Sequence, residues 1–161
     1  MIILVMGVSG SGKTTIGKLL ADSLGWEFSD ADAFHSPENV EKMRRGIPLS
    51  EEDRMPWLQD LQTAIKHWLQ ENKNVVLACS ALKDSYRQFL VVDSEHIKLV
   101  YLKGSYELIQ MRLQERSNHY MSDKLLNSQF DTLEEPLNTI SMDVAQPPQI
   151  IVQNIRTALE I

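Results

Sequence analysis

Apolar side chains along this chain alternate between short continuous runs and longer segments in which they recur every three or four positions. The first run, residues 2–6, is uninterrupted and rich in β-branched side chains, which is typical of a buried strand. The segment after residue 12 has helical spacing and is followed by Gly25, where a helix commonly ends. Its apolar positions are Ile16, Leu19, Leu20 and Leu24.

The same alternation continues to the C-terminus and predicts four more strands, at 26–29, 74–80, 97–102 and 139–144. Helices are predicted between and after them, and the clearest start has Ser36 as N-cap and Pro37 at the first helical position. Five strands that alternate with helices predict an α/β fold with one doubly wound parallel sheet.

A second helix start lies at Ser50, which forms a capping-box pattern with Asp53, although Asp replaces the usual Glu or Gln. Pro56 lies near the start of this helix, so we expect an irregular segment over 52–56. Such a segment could direct Arg54 into a cleft.

The turn between the first strand and the first helix carries the most specific motif, Gly7-Val8-Ser9-Gly10-Ser11-Gly12-Lys13-Thr14. It fits G-x-x-x-x-G-K-[ST], in which a tight glycine turn and a helix N-terminus direct backbone N–H groups at phosphate oxygens. Lys13 would reach the β- and γ-phosphates, and the Thr14 hydroxyl would bind Mg²⁺. A chance glycine–serine turn is the alternative, but the flanking strand and helix favour nucleoside triphosphate binding.

Two carboxylates, Asp30 and Asp32, follow the second predicted strand. Ligands of parallel α/β sheets lie at the carboxyl ends of strands, so this pair is a candidate for Mg²⁺ handling and for a general base. A solvated turn or a helix cap would also explain two aspartates here. His35 is of interest because it follows the pair by three residues.

Basic residues recur in pairs four apart on two predicted helices. Lys83 and Arg87 lie near a strand's carboxyl end and suit an anion site, although such pairs are often only solvated. Arg112 and Arg116 precede a break in the helical pattern at 117–122, which is typical of a lid over ATP, and we place that lid at about 112–130.

Composition restricts the classes of function. A formal charge of −6 and a pI near 5.2 disfavour a nucleic-acid-binding surface. The single cysteine, Cys79, excludes an internal disulfide framework. No apolar run approaches the ~20 residues of a membrane span, and no leader signature begins the sequence, so we expect a cytoplasmic protein without a membrane partner. Its 161 residues predict one domain, 1–161.

Several blocks of the sequence together resemble the gluconate kinase (gluconokinase) family, in the nucleoside-monophosphate-kinase-like P-loop group. The phosphate loop alone is shared with many ATPases and GTPases, and the blocks that follow it are more specific. They are Asp30-x-Asp32-x-x-His35-x-Pro37-x-x-Asn39, Lys42-Met43-x-x-Gly46-x-Pro48-Leu49, Asp53-Arg54-x-Pro56-Trp57-Leu58, Cys79-Ser80-Ala81-Leu82-Lys83-x-x-Tyr86-Arg87, Arg112-Leu113-x-x-Arg116-x-x-His119 and Leu125-Leu126-x-Ser128-Gln129-Phe130-x-x-Leu133-Glu134-x-Pro136.

The resemblance implies a three-layer P-loop NTPase fold, with a five-stranded parallel sheet flanked by helices and a small helical lid. It also implies ATP-dependent phosphorylation of D-gluconate to 6-phospho-D-gluconate with Mg²⁺, in a homodimer. With that reaction in view, the expected catalytic residues are Lys13, Asp32 and Arg116. The expected ATP-binding residues are Gly7, Val8, Ser9, Gly10, Ser11, Gly12, Lys13, Thr14, Thr15, Arg112 and Arg116. The expected substrate-binding residues are Asp32, His35, Arg54, Lys83 and Arg87, and the metal would be held by Thr14 and, through water, by Asp30.

Two other readings fit part of the pattern. A related small-molecule kinase, acting on another sugar acid, shikimate or a nucleoside monophosphate, would also use the aspartate pair and the lid arginines. A non-catalytic ATP-binding regulator would be expected to lack those carboxylates or arginines, and this chain has both.

Overall fold

The computed structural model describes residues 1–115 and 123–161. Its sheet has five strands in the order β2-β3-β1-β4-β5, and every neighbouring pair is parallel. The strands are β1 (Ile2–Met6), β2 (Glu27–Asp30), β3 (Val75–Ala78), β4 (Ile97–Lys103) and β5 (Ile140–Asp143). Because all strands are parallel, their carboxyl ends lie along one edge of the sheet. The predicted five-stranded parallel sheet is confirmed.

Seven α-helices are present in the described residues, and a short 3₁₀ helix, Ala31–Phe34, follows β2. The helices are α1 (Lys13–Leu24), α2 (Pro37–Arg44), α3 (Glu51–Gln70), α4 (Asp84–Leu90), α5 (Tyr106–Gln114), α6 (Asp123–Thr132) and α7 (Pro148–Leu159). None of the helices in these two ranges is long and apolar enough to cross a membrane.

Side chains of the central strand β1 point alternately to the two faces of the sheet, and each face has its own core. Ile3 and Val5 pack in a cluster with apolar residues of α1, α5 and α7. Ile2, Leu4 and Met6 pack in a second cluster with residues of α3 and α4. This division explains why β1 is apolar at every position, and it gives the expected three layers.

The helix starts follow the sequence signals, with one correction. Ser36 caps α2, and Ser50 and Asp53 form a reciprocal capping box at the start of α3. The expected irregular segment over 52–56 is wrong, because α3 is helical from Glu51 through Pro56. Pro56 and Glu52 both lie on the exposed side of the helix. Water can therefore hydrate the Glu52 carbonyl, which has no N–H partner at Pro56.

Candidate active site

The loop between β1 and α1 has the backbone that its glycines predict. Gly10 and Gly12 adopt positive φ angles of 84° and 96°. A Cβ atom on Gly10 would lie 2.8 Å from Cδ2 of Leu113, so any larger residue there would be both strained and crowded. The Lys13 ammonium donates to the carbonyls of Gly7, at 2.9 Å, and Val8, at 3.1 Å. The lysine is therefore held against the loop that it serves.

A triphosphate tail fits this loop. The Ser11 hydroxyl is buried, and its Oγ has no hydrogen-bond partner among the described residues, although a buried hydroxyl normally has one. The N-terminus of α1 begins at Lys13 and adds partial positive charge. Backbone donors, a buried hydroxyl and an ammonium group thus belong to one short loop, and these are the donors that phosphate oxygens require.

Two oxygen-bearing side chains meet beside the loop. The Thr14 hydroxyl donates to Oδ2 of Asp30 at 2.9 Å, and Oδ1 of the same carboxylate accepts from the Asp32 N–H at 2.9 Å. Nowhere in residues 1–115 and 123–161 do three His, Cys, Asp or Glu side chains form a metal-binding group. One hydroxyl and one carboxylate suit Mg²⁺, which usually keeps several waters and takes further oxygens from substrate phosphates.

Asp32 lies in the cleft next to the loop, together with Lys13, His35 and Arg54. Its side chain still reaches water through the open cleft. Burial by the surrounding protein nevertheless raises the pKa of this carboxyl; the Lys13 ammonium lowers it in part, and the Asp30 carboxylate raises it again. A carboxylate with a raised pKa beside a phosphate site is suited to accept a proton from an alcohol.

His35 forms part of a rigid wall of the same cleft. Its ring stacks on Trp57, with the centroids 4.3 Å apart and an angle of 11° between the planes. The Trp57 indole N–H donates to the carbonyl of Ala31 at 2.8 Å, which fixes the ring. Burial, and secondarily the Arg54 charge, lower the pKa of His35 to about 4. The imidazole is therefore neutral near pH 7 and suits a hydroxyl group better than a carboxylate.

Arg54 projects from the first turns of α3 into the cleft, and its side chain is only 17% exposed. Its Nη1 donates to the Tyr86 hydroxyl at 3.1 Å. The Tyr86 hydroxyl in turn donates to Oε1 of Glu51 at 2.8 Å, and Lys83 donates to the same oxygen at 2.6 Å. Hydrogen bonds from Lys83 and then Tyr86 lower the pKa of Glu51. Arg54 is thus the cation of this network that faces the cleft.

The structure does not bring Lys83 and Arg87 into the cleft as the sequence led us to expect. Lys83 occupies the N-cap position of α4 without a side-chain capping hydrogen bond, and its ammonium pairs with Glu51. Arg87 is 5% exposed, and its guanidinium donates to the carbonyls of Ala81, Leu82 and Glu134 at 2.8, 3.1 and 2.7 Å. Its donors are used inside the protein. Lys83 precedes the helix as an extended N-cap residue, so the two cations do not share a helix face as expected, and their tertiary partners decide what each one contacts.

On the other side of the loop lies a second depression, bordered by Gly10, Gly12, Thr15 and Arg112. Arg112 donates to the carbonyl of Val144 at 2.6 Å. This depression also includes Gln146 and Pro148, which the sequence did not single out as functional residues. Their position directly after β5, at the carboxyl edge of the sheet, was the available signal. Arg112 is therefore beside the loop as expected, whereas Arg116 and the predicted break at 117–122 lie outside the described residues.

The phosphate loop follows the central strand of a parallel sheet, and lysine, threonine and aspartate side chains converge beside it. This combination defines a P-loop kinase. The model of the shikimate kinase family matches residues 9–159. A probable gluconokinase of Xenopus tropicalis is 44% identical in an alignment of 173 positions, gaps included, that covers 96% of this chain and 91% of that protein.

A gluconokinase of Arabidopsis thaliana is 43% identical, over 96% of this chain and 89% of that protein. The crystal structure of a gluconokinase from Sinorhizobium meliloti 1021 matches with a TM-score of 0.86 and 42% identity, over 98% of this chain and 90% of that chain. The chain belongs to the gluconokinase family, as the sequence resemblance indicated, and is a phosphotransferase that acts on an alcohol group.

Proposed function

We propose that this protein transfers the γ-phosphoryl group of ATP to the 6-hydroxyl of D-gluconate and releases ADP and 6-phospho-D-gluconate. The observation that carries this proposal is the cleft that Lys13, Asp32 and Arg54 share. In this proposal Lys13 is the phosphate-binding cation, Asp32 is the proton acceptor and Arg54 is the carboxylate-binding cation. A substrate with an acid at one end and a primary alcohol at the other suits this set of groups.

Each side chain has a defined part in the reaction. The loop N–H groups and Lys13 hold the triphosphate, while Asp32 orients the 6-hydroxyl and accepts its proton as the bond from oxygen to phosphorus forms. The bond from the γ-phosphorus to the bridging oxygen breaks, and ADP leaves with that oxygen. Thr14 and, through water, Asp30 would hold Mg²⁺, which would supply charge neutralisation on the phosphates. Arg112 and, as the family resemblance implies, Arg116 would neutralise charge on the phosphates.

The acid end of gluconate is assigned to Arg54, whose guanidinium can pair with a carboxylate through two hydrogen bonds. The Tyr86 hydroxyl holds that guanidinium at 3.1 Å, and neutral His35 contacts the polyol hydroxyls. Lys83 acts at the rim through its pair with Glu51 and does not bind substrate directly. Arg87 is reassigned from substrate binding to the internal contacts described above.

We also propose the domain organisation, cellular location and assembly of the protein. Residues 1–161 act as one domain, with a lid over about 112–130, in a cytoplasmic homodimer. Membership of the gluconokinase family supports this assembly, and sedimentation of the purified protein at two or more concentrations tests it.

The reaction is tested by ADP release with Mg·ATP and a panel of acceptors: D-gluconate, other aldonates, shikimate, nucleoside monophosphates and glucose. We expect turnover on gluconate to exceed turnover on shikimate by at least about 10³-fold, because an enzyme site that binds specific polar groups strongly rejects substrates lacking them. Phosphorus NMR of the product should place the phosphate on carbon 6. Preference for shikimate would favour the related-kinase reading, and ATP binding without any turnover would favour the regulator.

Arg54→Ala should raise the KM for gluconate by about 10- to 100-fold, because it removes a charge-assisted hydrogen bond to the substrate carboxylate. The KM for Mg·ATP should change by less than about threefold, since Arg54 faces the acid end of the cleft. Initial-rate kinetics with each substrate varied in turn measure both values. Arg45→Ala, which removes an exposed arginine paired with Glu41, is the matched control. Equal increases in the two KM values would contradict the carboxylate assignment.

A further inference from the structure

One side chain of α6 reaches the phosphate loop from the far end of the sequence. Oε1 of Gln129 accepts a hydrogen bond from the Ser9 backbone N–H at 2.7 Å, across 120 residues of chain. Gln129 also lines the cleft that holds Lys13 and Asp32. Gln129 is part of a sequence block that resembles the gluconokinase family, but the sequence assigned it no role.

The Ser9 contact determines how the Gln129 amide is oriented. A backbone N–H can only donate, so the atom of Gln129 that faces Ser9 has to be the oxygen. The NH₂ group is on the other branch of the same planar amide and therefore points away from the loop backbone. Within residues 1–115 and 123–161, this NH₂ group donates to no protein acceptor. A half-buried amide with its oxygen anchored thus directs its donors at the cleft.

We propose that Gln129 is a catalytic residue whose NH₂ group donates a hydrogen bond to an oxygen of the transferring phosphoryl group. This inference rests on the proposed function, because it requires phosphoryl transfer between Lys13 and Asp32. The negative charge of the transition state spreads over the three equatorial phosphoryl oxygens, and Lys13 approaches them from the loop side. Gln129 approaches from α6, with its orientation set before the substrate arrives, as preorganised electrostatic stabilisation requires.

Gln129→Met keeps the length of the side chain and removes both hydrogen bonds. We expect kcat for gluconate to fall by about 10- to 100-fold, the effect of losing a hydrogen bond to a charged group. The KM values for gluconate and Mg·ATP should stay within about threefold, because the contact strengthens in the transition state. The control is Asn127→Leu, a change of similar size at an exposed position of the same helix, which should leave kcat and both KM values unchanged.

Gln129→Glu supplies a readout that a purely structural contact would not give. An ionised carboxylate repels the phosphoryl oxygens and has no donor, so activity near pH 8 should be lower than in Gln129→Met. A protonated carboxyl accepts from Ser9 with one oxygen and donates from the other, as the amide does. The ratio of Gln129→Glu activity to wild-type activity should therefore rise as the pH falls from 8 to 5.5, while the corresponding ratio for Gln129→Met stays flat.

The outcomes distinguish failure of the proposed function from failure of the role assigned to Gln129. If wild-type protein consumes no ATP with gluconate, the proposed function and this inference both fail. If wild type is active but Gln129→Met keeps kcat within about threefold, only the inference fails. The inference also fails if Gln129→Met lowers the melting temperature and raises both KM values at unchanged kcat. It fails as well if the ratio of Gln129→Glu activity to wild-type activity does not change with pH. Either result would mean that Gln129 only holds α6 in place.

Discussion

Asp32→Asn should lower kcat for gluconate phosphorylation by about 10²- to 10⁴-fold, the range for removing a general base. The amide keeps the shape of the carboxyl but cannot accept the hydroxyl proton. The KM for Mg·ATP should remain within about threefold, because Thr14 and Asp30, and not Asp32, form the oxygen pair at the metal position. Initial rates at saturating gluconate measure the change, and Asp60→Asn, at an exposed position of α3, is the control.

The pH dependence gives an independent test of the same role. Burial, opposed in part by Lys13 and supported by Asp30, raises the pKa of Asp32 above the usual carboxyl range. Because the ionised form is the active base, kcat/KM should decline with falling pH at a higher pH than an ordinary aspartate would cause. That acid limb should disappear in Asp32→Asn. An unchanged kcat together with an unchanged KM for gluconate would show that Asp32 has no part in the reaction.

The features that could be predicted from the sequence are those fixed by local pattern. The phosphate loop needs one strand before it and one helix after it, and both are contiguous with the motif. Thr14 and Asp30 then meet because α1 starts at the end of β1 and β2 ends at the same edge of the sheet. The capping box at Ser50 is equally local, since its two hydrogen bonds join residues three apart.

The features that could not be predicted depend on partners distant in the sequence. The spacing of Lys83 and Arg87 predicts a shared helix face, but Lys83 lies just before α4. Glu51 pairs with Lys83 from 32 residues away, and the Glu134 carbonyl accepts from Arg87 across 47 residues. Spacing on one helix contains no information about either partner. Gln129 is the opposite case, a residue that lines the cleft although the sequence did not predict it. Its contact with Ser9 across 120 residues leaves no periodic pattern in the sequence.

Three contacts with the segment after β3 meet at Glu134. Glu134 follows α6 by two residues, and its N–H donates to the Leu82 carbonyl at 2.8 Å. Its side chain accepts from the Asp84 N–H at 2.8 Å, and its carbonyl accepts from Arg87 at 2.7 Å. The chain is therefore fastened to the segment after β3 immediately beyond the helix that carries Gln129. Arg87 fixes the end of α6 and so, indirectly, the position of Gln129 over the phosphate loop.

Arg87→Met should lower the free energy of unfolding by about 3–5 kcal/mol, as expected when a buried hydrogen-bonded charge is removed and its acceptors lose their partners. The carbonyls of Ala81, Leu82 and Glu134 would be left without the guanidinium, and Ala81 already has a positive φ of 43°. Denaturant unfolding measures the loss, and Arg44→Met, at an exposed position of α2, should stay within about 0.5 kcal/mol of wild type.

Arg87→Lys separates this internal role from the substrate role that the sequence suggested. A lysine ammonium keeps the charge but lacks the planar fork that contacts three carbonyls, so it should restore only part of the lost stability. At a temperature where the variant is folded, its KM for gluconate should stay within about threefold of wild type, because Arg87 does not line the cleft. A large rise in the KM for gluconate at unchanged stability would show instead that Arg87 binds the substrate carboxylate directly.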